Sequence, residues 1–464
     1  MCVARGLTKM VEKLLINIRL WCLTSSRVWI IPIGLTFFAI TSWLLFMFLP
    51  VKYALIGSIG IILTTISIFS VPYIGIILFM CFAFCLPEEL EGVPFSAAIL
   101  GITVLAWILR ELNPKEMIKS LQNRLILALW IIMIISSLFA YRREYCLYPL
   151  FDFTQLFILY LVTINLINSE KRFHHVVWAI VIIFALLSLK NAAFCAIHGL
   201  SRQGGAGGDD NHFAVALNMA LPFSLYILFI ERNGIKQITA MISFLLIIVG
   251  IILTISRGGF IGLCIVLFLF LLKARKPALL VVYLFLFVFI FLAGTLLIPK
   301  EYVERMETIS GYEKDEAAMA RIYCWYAGGR MMMERPITGV GVGNFKEIVH
   351  RYNPEIEGLV AHNTFIQIAS ECGFPGLIVF ASLIIVSLIK TSMLRKRLKT
   401  IRGGHRLIPF THMIEVSLSA YVICGSFLSE VDFELLYILI ALSVCLGSIA
   451  QQIDREFKGS KIIH

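Results

Sequence analysis

Residues 236–273 read KQITAMISFLLIIVGIILTISRGGFIGLCIVLFLFLLK. Apolar side chains fill both halves, and the polar interruption is Ser-Arg-Gly-Gly at 256–259. Each half approaches the length at which a helix crosses about 30 Å of hydrocarbon. The period-2 alternation of an outer-membrane barrel strand is absent, so helices are the spanning structure left. Arg257 sits inside this apolar run. A charge there is costly and is a functional hypothesis by default. The plainer reading is an arginine snorkelling to the interface at a tight Gly-Gly turn.

The same composition extends outward from this stretch. Of 464 residues, 59% are hydrophobic and 15% are charged. A soluble fold cannot hide that much apolar surface, so an all-α integral membrane protein is expected. Apolar runs near 29–49, 53–70, 72–87, 95–110, 124–141, 149–168, 173–198, 213–230, 236–256, 259–273, 278–298, 364–390, 412–429 and 434–451 predict 12–14 transmembrane helices. The run from Trp29 follows five basic residues, is longer than a signal-peptide core and is expected to remain as a first span; residues 8–22 are mildly amphipathic. The net charge of +11 is carried by short loops, where it sets topology and gives no reason to expect nucleic acid. The 11 cysteines are scattered, mostly inside apolar runs, and read as small core residues.

The loop 391–410 and KARK at 273–276 are basic and are expected inside; PEELEGVP at 87–94 and SEVDFE at 429–434 are acidic and are expected outside. Threading the spans between these anchors divides the chain into three parts. N-terminal transmembrane helices occupy 1–298, with an outer loop at 199–212. A long, partly helical periplasmic loop follows at 299–361, and C-terminal transmembrane helices fill 362–464. The glycine-rich loop, the SRGG break and the long segment then share one outer face.

A loop of that length is functional or disordered, and its aromatic residues argue against disorder. Within it, residues 312–334 predict a helix with Arg321 and Trp325 four apart on one face, followed by a glycine-punctuated turn at 335–345. Asn363 is placed to cap a helix starting at Thr364, which Gly373 and Pro375 should kink. Asp209, Asp210, His212, His350 and His362 are candidate metal ligands by residue type, but they lack ligand spacing, and no metal is expected. Asp209 and Asp210 read equally as an acidic turn capping a helix. Arginine pairs phosphate oxygens bidentately, and a histidine can take a proton from a sugar hydroxyl. Together on one outer face they suit a lipid-diphosphate glycan donor.

DDNHFAVALNMALPF, TISRGGFIGL, ARIYCWYAGGRMMMERPITGVGVGNF and AHNTFIQIASECGFPGL occur in that order between about residues 200 and 385. There the chain resembles the O-antigen ligase and polymerase superfamily. The resemblance implies a multi-pass enzyme of the bacterial inner membrane whose active site faces the periplasm. Such an enzyme moves a glycan from undecaprenyl diphosphate to lipid A core, a growing glycan or protein, beside membrane lipid and without any cofactor. By resemblance, His362 is the catalytic histidine and Glu371 its accompanying glutamate, orienting the histidine or an arginine. Arg257 and Arg321 are the diphosphate contacts, and Asn363 and Trp325 complete the substrate site. The rival of another class is a polysaccharide transporter or flippase. Against it stand the lack of repeated halves and a polar mass confined to one face.

Overall fold

The computed structural model describes residues 54–85, 95–110, 120–198, 210–273 and 316–460. The helices are α1 (Ala54–Ser70), α2 (Ile74–Cys85), α3 (Phe95–Arg110), α4 (Leu121–Leu138), α5 (Leu147–Leu166), α6 (Glu170–His198), α7 (Asp210–Ile230), α8 (Gly234–Leu253), α9 (Arg257–Lys273), α10 (Glu316–Glu334), α11 (Phe345–Tyr352), α12 (Thr364–Leu398), α13 (Ile408–Cys424) and α14 (Glu434–Ser460). No strand occurs among the described residues. Eight helices, α4 to α8 and α12 to α14, are long and apolar enough to cross a membrane; α2, α3 and the apolar part of α9 are shorter. The chain is therefore an all-α, multi-pass membrane protein. The expected spans at 29–49 and 278–298 lie outside the described residues.

The chain divides into two compact units. In the first, α2 and α3 approach so closely that a Cβ on Gly75 would lie 2.0 Å from the Thr103 hydroxyl. That hydroxyl is itself turned back onto the Ile99 carbonyl, 2.6 Å away.

The second unit holds the rest of the described helices apart from α1, α3 and the start of α2. Its centre is α7, which packs against α6, α8, α9 and α13 and is buried continuously from Phe213 to Leu225. Helices at the rim show the reverse pattern. Leu127, Ile131, Ile135 and Leu138 on α4 recur at three- and four-residue spacing and are exposed. In water such a stripe would be an aggregation site; in lipid it faces the hydrocarbon.

The two ends of this bundle differ in chemistry. At one end Glu415 of α13 takes Lys273 of α9 at 2.6 Å and also pairs with Arg395 of α12. Arg397 meets Asp454 of α14 at 2.9 Å. Arg395, Lys396 and Arg397 occupy the last turn of α12, where cations favour the helix dipole. At the opposite end the segments 139–146, 210–212, 254–258, 335–364 and 425–434 meet, through the contacts described next. The described parts of the three polar features expected on one face do come together there.

Candidate functional site

The site is built around a break in α12. Two carbonyls lose their helical donors at this break. Pro375 has no N–H to offer Glu371, and the Phe374 amide, which would serve Ser370, turns to Pro336 at 2.8 Å. Gly373 permits this turn with φ 67°. The stranded carbonyls are taken by the glycine turn after α10: the Val340 amide donates to Ser370 O at 2.9 Å, and the Gly341 amide to Glu371 O at 3.1 Å. The Ser136 hydroxyl of α4 also donates to Glu371 O at 2.6 Å. Gly339 has φ 68°, and a Cβ there would lie 2.2 Å from the same carbonyl. Asn344 fixes the far side of the turn, accepting from the Arg142 amide at 2.9 Å and donating to its carbonyl at 3.0 Å.

Glu371 is buried, 5% exposed, and its carboxylate points into this turn. It accepts from the Phe345 amide at 3.4 Å and from the Gly343 amide. A carboxylate held by backbone N–H groups fixes the loop that supplies them.

The same interlock sets the register of α10. Gly373 lies on Pro336, just past the end of α10, and Gly328 lies on Ile366, 2.5 Å from its methyl to an ideal Cβ. The two helices therefore run parallel, with nearly one residue of α10 per residue of α12. Continued by one more turn, the register brings Trp325 level with His362 and Asn363, and Arg321 one turn beyond. Residues 321, 325 and 328 share one stripe of α10. Trp325 is half-buried, and its indole nitrogen is buried without a partner.

His362 and Asn363 form the entry to α12. The Asn363 side chain accepts from the amides of Phe365 and Ile366 at 3.0 and 3.1 Å, so the expected cap is present. His362 takes φ 47°, which is uncommon for a residue with a Cβ. Thr364 fastens this entry to the loop before α14. Its hydroxyl donates to Leu428 O at 2.8 Å and accepts from the Glu430 amide at 3.0 Å.

On that loop, Phe427 lies against Gly258, with 3.4 Å from its Cβ to an ideal glycine Cβ. Arg257 is the first residue of α9, so its guanidinium joins the positive end of a helix, a natural place for an anion. Ser256 sits just before it. The Ser256 hydroxyl accepts from the Gly259 amide at 3.1 Å and donates to the Asn211 side chain at 2.7 Å. Ile255 has φ 50°, a genuine outlier for a β-branched residue. Strain of this kind costs on the order of 1–3 kcal/mol and clusters at functional sites. Here it flanks Arg257 and falls on His362.

The structure thus brings Arg257, His362 and Asn363 around the 425–434 loop, and the register adds Trp325 and Arg321. Glu371 stands about two helical turns into α12, which starts at Thr364 just after the histidine. His350 is exposed on α11, and Asp209 lies outside the described residues. No cluster of three His, Cys, Asp or Glu suited to a metal occurs among the described residues.

One pair was not singled out from sequence. His212 Nδ1 lies 2.9 Å from Glu430 Oε2. Phe433 meets the imidazole edge-on, with centroids 4.9 Å apart. SEVDFE reads along the chain as an acidic outer loop, and only its pairing with the start of α7 gives Glu430 a partner.

Residues 242–381 match the family model described as O-antigen ligase. The matched region runs from α8 into α12 and contains Arg257, Arg321, Trp325, His362, Asn363 and Glu371, but neither His212 nor Glu430. No curated protein matches the chain significantly.

Proposed function

Starting from the match of residues 242–381 to the O-antigen ligase family model, we propose a metal-independent glycosyltransferase that moves a glycan from undecaprenyl diphosphate to an acceptor hydroxyl. It works at the periplasmic face of the bacterial inner membrane. The observation that carries this reading is that the head of α9, through Gly258 beside Arg257, and the entry to α12, through Thr364 two residues after His362, both pack on the 425–430 loop.

His362 takes the proton of the acceptor hydroxyl as that oxygen displaces the diphosphate at the anomeric carbon. Arg257 and Arg321 neutralise the leaving group, and Trp325 offers its ring to a sugar or prenyl chain. Asn363 caps α12 and so holds His362 in place. Glu371 acts through the glycine turn as a positioning residue. Lipid A core, a growing glycan and a protein hydroxyl all satisfy this chemistry as acceptors.

The test uses purified protein in nanodiscs with a lipid-diphosphate glycan and an acceptor, reading donor affinity and single-turnover rate. Arg257→Lys and Arg321→Lys keep the charge but lose the bidentate fork. Each is expected to weaken donor binding about tenfold, worth roughly 1.4 kcal/mol, and to slow transfer as well. A snorkelling Arg257 tolerates lysine in both measurements, and that outcome removes it from the site. Donor that crosses the bilayer with no new glycosidic bond identifies a flippase instead.

Orientation is tested separately. Reporter fusions near Glu355 should signal from the outer compartment and fusions near Ile401 from the cytoplasm. A cytoplasmic signal from Glu355 puts the candidate site on the wrong side of the membrane for an externally presented donor.

A further inference from the structure

The mechanism above uses one histidine, yet a second stands at the same end of the bundle with a carboxylate already on it. Glu430 Oε2 lies 2.9 Å from His212 Nδ1. A carboxylate in that position fixes the ring and its tautomer and leaves Nε2 as the working nitrogen. The ring is not sealed in: its side chain is 37% exposed.

Two independent sets of contacts hold this pair in the site. On the Glu430 side, the residue's amide is bonded to the Thr364 hydroxyl at 3.0 Å, two residues from His362. Its carbonyl accepts from the Tyr421 hydroxyl. On the His212 side, Asn211 accepts from the Ser256 hydroxyl at 2.7 Å. His212 and Arg257 are therefore the residues on either side of one hydrogen bond. The helices that carry them are locked in register just beyond. A Cβ on Gly259 would lie 2.6 Å from the Ala214 Cβ, and the Asn218 amide donates to Gly259 O at 3.0 Å. The pair cannot drift relative to Arg257 without breaking these contacts.

We infer that His212, oriented by Glu430, is a second acid–base residue of the site and serves the diphosphate side of the reaction. The inference rests on the proposed transfer reading. As the anomeric C–O bond breaks, its electron pair goes to the phosphate oxygen, and protonated His212 gives that oxygen its Nε2 proton. The acceptor oxygen bonds to the anomeric carbon, and its proton goes to His362. One histidine ends a proton short and the other a proton long, and exchange with water resets both. Glu430 offsets the charge of the imidazolium before transfer.

The experiment compares His212→Ala, Glu430→Gln and His362→Ala with wild type in nanodiscs, using a lipid-diphosphate glycan donor. His212→Ala should lose about 10²-fold in single-turnover rate, the lower end of general acid–base contributions. Its donor affinity should stay within about threefold, because the arginines still hold the diphosphate. Added imidazole should restore its rate in a saturable way and leave wild type unchanged. Glu430→Gln should fall between wild type and His212→Ala. Full turnover in His212→Ala overturns the inference. So does a loss of rate that imidazole does not restore, since a merely structural histidine behaves that way. Should His362→Ala alone keep its turnover, the transfer mechanism fails while the His212 result stands as its own measurement.

Discussion

Replacement of His362 by alanine should lower single-turnover glycan transfer by about 10²- to 10⁴-fold, the range a general base contributes. Donor binding should stay near wild type, because the groups assigned to the diphosphate are arginines on α9 and α10. The backbone supplies a control. His362 sits at φ 47°, where a residue with a Cβ is disfavoured by about 1–2 kcal/mol. His362→Gly removes that cost together with the imidazole. The glycine variant should therefore melt no lower than the alanine variant yet be equally slow. A rate that recovers with glycine means the alanine loss came from a distorted entry to α12 and not from a missing base. Normal turnover in both ends the base assignment.

Local features of this site were legible in the sequence because they depend on neighbours a few residues apart. The Asn363 cap, the helix carrying Arg321 and Trp325, the glycine turn and the kink at Gly373 and Pro375 all appear where the sequence puts them. Span positions follow from apolar runs, but their ends do not. α9 begins at Arg257, two residues earlier than hydropathy suggests, because Ser256 caps it. α12 continues to Leu398, past the apolar run, since basic residues in its last turn suit both the helix dipole and an aqueous boundary. The short helix α11 was missed. Its only sequence signal is Phe345, Ile348 and Val349 at helical spacing, too few residues to stand out from a polar segment.

Long-range pairings left no mark along the chain. Ser136 and Glu371 are 235 residues apart, and neither flanking sequence points to the other. The His212–Glu430 pair is the same kind of case. Each residue alone reads as a polar group at the start of a span, and a single sequence carries no sign that the two starts adjoin. Arg257 lay between these extremes. Its spacing admitted a snorkelling side chain, and its contacts at the head of α9 gave it a site.

Glu371 is where the sequence reading and the geometry suggest different jobs, and two substitutions tell them apart. Its carboxylate accepts from the Phe345 and Gly343 amides, and Gln367 is within reach as well. Glu371→Leu leaves those amides buried without an acceptor, at about 1–3 kcal/mol for each. The turn that Gly339 and Gly341 press against α12 should then loosen, and with it the register that brings Arg321 and Trp325 to His362. The expected result is near-complete loss of transfer with a clear drop in melting temperature. Glu371→Gln keeps a carbonyl oxygen for the same amides and discards only the charge. If Glu371 works by holding the turn, the glutamine variant should keep turnover within about tenfold of wild type, as neutral hydrogen bonds replace charge-assisted ones. If the carboxylate instead acts on His362 or on an arginine through its charge, glutamine should be as inactive as leucine while melting like wild type. That second outcome would return Glu371 to the role the family resemblance implies and remove it from the turn.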